Sequence, residues 1–96
     1  MKQEKIREKI QQQLPLLKEK YHVKRIGVFG SFARGDQKKG SDLDILVEFS
    51  TPVGFFDFIR LENFLSKNLR IKVDLVSKRS VKPAAKKEIF KEVQYV

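Results

Sequence analysis

Ile6, Ile10, Leu14 and Leu17 recur at three- and four-residue intervals between lysines, glutamates and glutamines. That spacing predicts an amphipathic helix over 3–20. Pro15 falls inside it and is expected to kink it or divide it near residue 14. The pattern then shortens to strand length. Residues 24–29 (Lys-Arg-Ile-Gly-Val-Phe) read as a first strand, 43–49 as a second and 71–76 as a third. Along the third, Ile71, Val73 and Leu75 share one face while Lys72 and Asp74 share the other. A helix is predicted over 55–68, with Phe55, Phe58, Leu61 and Leu65 turned to the sheet. Phe56, Ile59 and Phe64 widen its apolar arc, which reads either as broadly buried surface or as a partner-binding patch. Residues 50–54 carry turn composition, and 77–82 form a basic linker. Pro83 suits the first turn of a last helix over 84–93, docked through Ile89, Phe90 and Val93.

These elements predict an α/β (α+β) fold: a small mixed sheet of about three strands flanked by helices, in one domain spanning residues 1–96. At 41% hydrophobic and 10% aromatic the chain is too apolar for disorder. With no cysteine, disulfides and thiolate metal sites are excluded. A lone histidine, His22, excludes His-cluster metal sites and reads as boundary packing. No apolar run approaches membrane-spanning length, so the expected compartment is the cytoplasm. The formal charge of +9 is unevenly spread, with +5 over residues 1–25, −1 over 26–60 and +5 over 61–96. The centre is thus locally acidic between basic flanks, a pattern that suits a metal site attracting a polyanionic nucleotide. Most of the lysines read as solvation of the helices. No strand face combines aromatic and basic residues in the manner of RNA-recognition sheets, so nucleic acid ranks last among partners.

The candidate chemistry lies between Gly30 and Val47. Asp42 and Asp44 stand two apart at the start of the second strand, with Cα atoms roughly 6.5–7 Å apart and side chains on one face. Two carboxylates so placed repel unless they share cations. Hard Mg²⁺ takes carboxylate and phosphate oxygens, and bridging carboxylates can span a two-metal site. Gly30 lets backbone approach a ligand closely. Ser31 opens a short helical turn whose free N–H groups suit an anion, with the serine hydroxyl and Arg34 as further phosphate donors. Asp74, a carboxylate in an otherwise apolar strand, reads as a third metal ligand. For the Gly-Ser turn and the aspartates to meet, the first two strands must run antiparallel.

Gly30-Ser31, Asp42-x-Asp44 and Asp74 together resemble the signature of the DNA polymerase β-like nucleotidyltransferase superfamily. The text from Phe29 to Gly35 and from Ser41 to Val47 is similar to the minimal nucleotidyltransferase (MNT) family in particular. So are Pro52-Val53-Gly54, the run from Lys72 to Val76 and the short last helix. The resemblance implies a polymerase β-like core in which Asp42, Asp44 and Asp74 hold two Mg²⁺ and Ser31 contacts the phosphates of a nucleoside triphosphate. It implies attack of a hydroxyl on the α-phosphorus with loss of pyrophosphate, and places Asp74 near the attacking hydroxyl. Family members of this size resemble antitoxins of a HEPN ribonuclease toxin that transfer AMP from ATP to a toxin tyrosine. The alternative is a non-catalytic antitoxin that neutralises its toxin by direct binding. The nucleotide base, the acceptor residue and the oligomeric state, a homodimer included, stay open at this point.

Overall fold

The computed structural model describes residues 3–96. α1 (Gln3–Lys20) runs on through Pro15 without division. Pro15 and Gln11, whose carbonyl loses its partner there, both lie on the exposed side, where water can replace the lost bond. Ile6, Ile10 and Leu17 form the buried stripe.

Four strands follow rather than three. β1 (Val23–Phe29) pairs antiparallel with β2 (Leu43–Phe49), as the chemistry required, with Phe29 opposite Asp44. β3 (Val73–Ser77) pairs parallel with β2 and places Asp74 opposite Asp44 and Val76 opposite Leu46. The return between these parallel strands is made by α3 (Phe55–Leu69), since parallel strands need a long crossover. The added strand is β4 (Gln94–Tyr95), on the far side of β1, giving the order β3-β2-β1-β4. Gly27 makes room for it: a Cβ there would stand 2.7 Å from Val93 Cγ2 and 3.0 Å from the Gln94 carbonyl oxygen.

β3 begins two residues later than the pattern suggested, because Ile71 still closes the end of α3, its N–H donating to the Ser66 carbonyl at 3.3 Å, while the Lys72 carbonyl already accepts the Leu43 N–H at 2.9 Å. β3 is an edge strand, and two of its outward N–H groups are satisfied by α3. Val73 N–H donates to Ser66 Oγ at 3.1 Å, and Leu75 N–H donates to Glu62 Oε2 at 2.9 Å. An edge so covered cannot slip or template another strand, so the position of Asp74 is pinned from both sides.

Ile26, Val28, Leu43, Ile45, Val47, Val73 and Leu75 meet Leu61, Leu65 and Leu69 of α3 and the stripe of α1 in the main core. A smaller cluster on the opposite face joins Phe29, Leu46 and Val81, with Val76, Ala85, Ile89 and Val93 packed against it. It is roofed by α4 (Pro83–Glu92), which starts on proline as expected. Residues 78–80 of the expected linker form one 3-10 turn.

The apolar arc of α3 divides. Phe64 packs its ring on Tyr21, with centroids 5.4 Å apart, and belongs to the core. Phe55, expected against the sheet, is instead 72% exposed and stacks edge-on with Phe56, itself 76% exposed. No helix among the described residues is long and apolar enough to cross a membrane.

Candidate active site

Strand geometry brings the acids together. Asp44 and Asp74 are register partners on adjacent parallel strands, so their side chains leave the same face of the sheet side by side. Asp42 sits just before β2 and adds a third charge near Asp44. The Asp44 carboxyl is pushed up from its ordinary 3.8 to about 6. Burial is the first cause, followed by the charge of Asp74 and a hydrogen bond with it, then the charge of Asp42. The nearby Arg34 guanidinium pulls the other way.

The Gly-Ser turn closes the site from the end of β1. Gly30 has φ +74° and ψ −152°, a region that is essentially glycine's own. A Cβ at this position would collide with Asp44 Oδ2, so glycine is needed twice over: for the backbone angle and for the room that the carboxylate takes. Ser31 then begins α2 (Ser31–Arg34), the short helical turn read from the sequence. Arg34 N–H donates to the Gly30 carbonyl at 3.1 Å, and Gly35, at φ +79°, ends the turn in the left-handed region. Phe32 anchors the turn in the core, while Ser31 stays half-buried and Arg34 exposed.

The fold thus gathers Gly30, Ser31, Arg34, Asp42, Asp44 and Asp74 at one end of the β1–β2–β3 ladder. Arg34 is not a free cation. Its Nε donates to Asp36 Oδ2 at 3.2 Å and its Nη1 to Glu92 Oε2 at 3.1 Å, and these two partners raise its pKa further. Asp42 is also engaged, with Oδ2 3.8 Å from Lys72 Nζ at an exposed position.

The donor set suits Mg²⁺ in kind, being carboxylate oxygen throughout. Among the described residues, no three His, Cys, Asp or Glu side chains converge tightly enough to grip an ion as they stand. The fit lies in the electrostatics: Asp44 and Asp74 stand side by side across the β2–β3 register and repel when both ionise. A shared cation would relieve that repulsion, and Asp42 has only an exposed ion pair to give up, a contact worth little.

Glu92 was not singled out by the residue pattern. It sits at the end of α4, 58 residues beyond Arg34, and nothing local marks it among the charges of a basic helix. The alternation of Val93-Gln94-Tyr95-Val96 could have suggested β4, and with it that the end of α4 lies beside β1. A groove of about 980 Å³ lies at the opposite end of β2 and β3, between Phe49, Phe55, Phe58, Lys78, Lys86 and Phe90, and is lined by none of Asp42, Asp44 and Asp74.

A nucleotidyltransferase domain model matches residues 4–96. The protein adenylyltransferase MntA of Thermococcus cleftensis is 46% identical over 80 residues, covering 83% of this chain and 81% of that protein. A solved structure assigned as a candidate minimal nucleotidyltransferase superposes with a TM-score of 0.83 at 34% identity, covering 98% of this chain and 95% of that one. The MNT antitoxin in complex with a tri-AMPylated HEPN toxin of Shewanella oneidensis shares the fold, with a TM-score of 0.72 at 22% identity over 97% of this chain and 70% of that one. The fold, the register of the acids and these likenesses agree: the chain belongs to the nucleotidyltransferase domain family, among its minimal nucleotidyltransferases.

Proposed function

We propose that this nucleotidyltransferase transfers AMP from ATP to a tyrosine of a HEPN ribonuclease toxin, and in doing so neutralises it, with Mg²⁺ held by Asp42, Asp44 and Asp74. The observation that carries this reading is the juxtaposition of Asp44 with Asp74 across β2–β3, closed by Gly30 against the Asp44 carboxylate. The name of the Thermococcus cleftensis relative and the AMPylated partner of the Shewanella oneidensis antitoxin support the choice of a protein acceptor.

Two Mg²⁺ ions, when bound, supply charge stabilisation at the α-phosphorus and its leaving oxygen and lower the pKa of the attacking hydroxyl. The rest falls to the chain. The Ser31 hydroxyl and N–H donate to the triphosphate, and Arg34 adds a guanidinium donor. Gly30 keeps the turn close enough to the acids for α-phosphate and carboxylates to meet. Asp74, the more exposed of the strand pair, orients the acceptor hydroxyl and receives its proton. The new bond joins the acceptor oxygen to the α-phosphorus. The bond from that phosphorus to the bridging oxygen breaks, and pyrophosphate leaves with the electron pair.

Holding an acceptor in line contributes on the order of 7–11 kcal/mol to such a reaction. The site is open beside exposed Asp74, and the partner is the part that brings and orients the tyrosine. Mixing the protein with a cognate HEPN ribonuclease, ATP and Mg²⁺, then taking the intact mass and peptide map of that partner, tests this. An AMP on a partner tyrosine is expected. A partner that stays unmodified while its ribonuclease is blocked would replace transfer with inhibition by contact.

A further inference from the structure

α2 is four residues long, too short to hold its own shape by helical bonding. It is tied down by three side chains from the two ends of the chain. Gln3 Nε2, from the start of α1, donates to the Phe32 carbonyl. Gln94 Nε2, from β4, donates to the Ala33 carbonyl at 3.2 Å. Glu92, from the end of α4, makes the most of these contacts. Its Oε1 accepts the Gly30 N–H at 2.9 Å, and its two oxygens accept Arg34 Nη1 at 3.3 and 3.1 Å.

The pattern on Arg34 decides what this does. A guanidinium is a rigid planar fork. Here Nε is held by Asp36 and Nη1 by Glu92, while Nη2 makes no hydrogen bond to a described residue. Fixing two corners of the plane fixes the third, within charge reach of Asp44. Ser31 N–H, at the first position of α2, has no partner within the helix. Glu92 therefore occupies Gly30 N–H and Nη1 and leaves Ser31 and Nη2 for a ligand.

We propose that Glu92 is a positioning residue for the triphosphate: it holds the Gly30–Ser31 turn and the plane of Arg34 in the arrangement that binds nucleotide, without touching the nucleotide itself. This rests on the reading of the site as a nucleotidyltransferase centre. It adds that the C-terminal helix completes the phosphate site.

The test is a set of variants, Glu92→Ala, Glu92→Gln, Arg34→Ala and the double Arg34→Ala/Glu92→Ala, in the full chain. KM for ATP and kcat are measured for transfer to the partner, with the dissociation constant for MgATP measured separately by calorimetry. Glu92→Ala is expected to raise KM and Kd about tenfold, the scale of a lost charge-assisted pair, with kcat changed less than about threefold. Glu92→Gln keeps an acceptor for Gly30 N–H and should fall between wild type and Glu92→Ala. The double variant should lose less MgATP affinity than the two single losses combined, because the part of Glu92's effect that runs through the guanidinium is already gone in Arg34→Ala. Amide exchange at Gly30 should quicken in Glu92→Ala while exchange in β2 does not. An unchanged KM and Kd would overturn the proposal. So would a lower KM, which would make Glu92 a competitor of the triphosphate, or fully additive losses in the double variant. If Glu92→Ala does not fold, wild-type binding by Glu92→Gln with an unaltered Arg34 dependence would overturn it equally. Absence of transfer by the wild type would remove the proposed reaction and leave this test standing on MgATP binding alone.

Discussion

The two faces of one sheet have opposite characters. On one, Ile26, Val28, Leu43, Ile45, Val47, Val73 and Leu75 are all buried under α1 and α3. On the other, the same strands present Asp44 and Asp74 beside Leu46 and Val76, and α4 covers only the apolar half. Alternation along β2 makes both faces from one run of residues, so each aspartate costs the dry face nothing. The packed face carries the stability of the molecule, and the open face holds the groups that oppose it. Carboxylates crowded side by side are tolerated because the other face is fully packed.

The comparison can be broken most severely from the dry face. Ile45→Ala should cost about 2–5 kcal/mol, the range for a large side chain removed from a packed interior. That is a large share of the roughly 5–15 kcal/mol that holds a domain. Ile89→Ala, in the half-buried roof of the other face, should cost less than half as much. Urea midpoints of the two variants measure the gap, and equal losses would abolish the distinction.

Gly30→Ala attacks the seam between the faces. The residue would have to leave a glycine-only backbone region, which costs on the order of 1–3 kcal/mol, and would also displace the Asp44 carboxylate. A thermal shift accompanied by loss of MgATP binding is expected. Unaltered binding would mean that the turn does not need its close approach to Asp44.

A smaller effect sharpens the account of the acids. The folded protein raises the Asp44 carboxyl to about 6 from an ordinary 3.8, so it binds that proton more tightly than the unfolded chain does. Without metal, the contribution of this group to stability is greatest below about 3.8 and is lost as pH rises through about 6. Asp44→Asn removes the titrating group. Its stability relative to wild type should therefore grow from pH 4 to pH 7 in chelator. Excess Mg²⁺ should shrink the difference by stabilising the wild type alone. Denaturant titrations at a series of pH values read both signs.

The smallest effect lies far from the site. Arg70 ends α3 at φ 55°, in the left-handed region, and its backbone N–H donates to the Ser66 carbonyl. Arg70→Gly relieves that conformation and should raise stability by about 1 kcal/mol or less, with transfer activity unchanged.

Much of this was legible in the chain. Period-two alternation located β2 and the core-facing set Leu43, Ile45 and Val47, and the demand that Gly30 meet Asp44 predicted an antiparallel β1–β2 pair. Contacts made over long sequence separations were not legible. β4 is two residues long and pairs with β1 because Gly27 lets it approach, so the brief alternation at Val93–Val96 is its one local trace. Gln3, Glu92 and Gln94 reach α2 from the two ends of the chain. Phe64 lies on the flank of the Leu61, Leu65 and Leu69 stripe, and the Tyr21 ring that covers it is supplied by the turn after α1. Arg34 read as a phosphate donor by type, but the partners that fix its plane could be known only from the fold.

The central claim is that the acids on the open face perform transfer while the rest of the protein holds its shape and its partner. The most direct measurement compares wild type with Asp44→Asn, each bound to the HEPN partner, given ATP labelled at the α-phosphate and Mg²⁺. Transfer of label to the partner and retention of the complex are read in the same samples. Both proteins are expected to bind the partner and only the wild type to label it. Labelling by Asp44→Asn at the wild-type rate would overturn that claim.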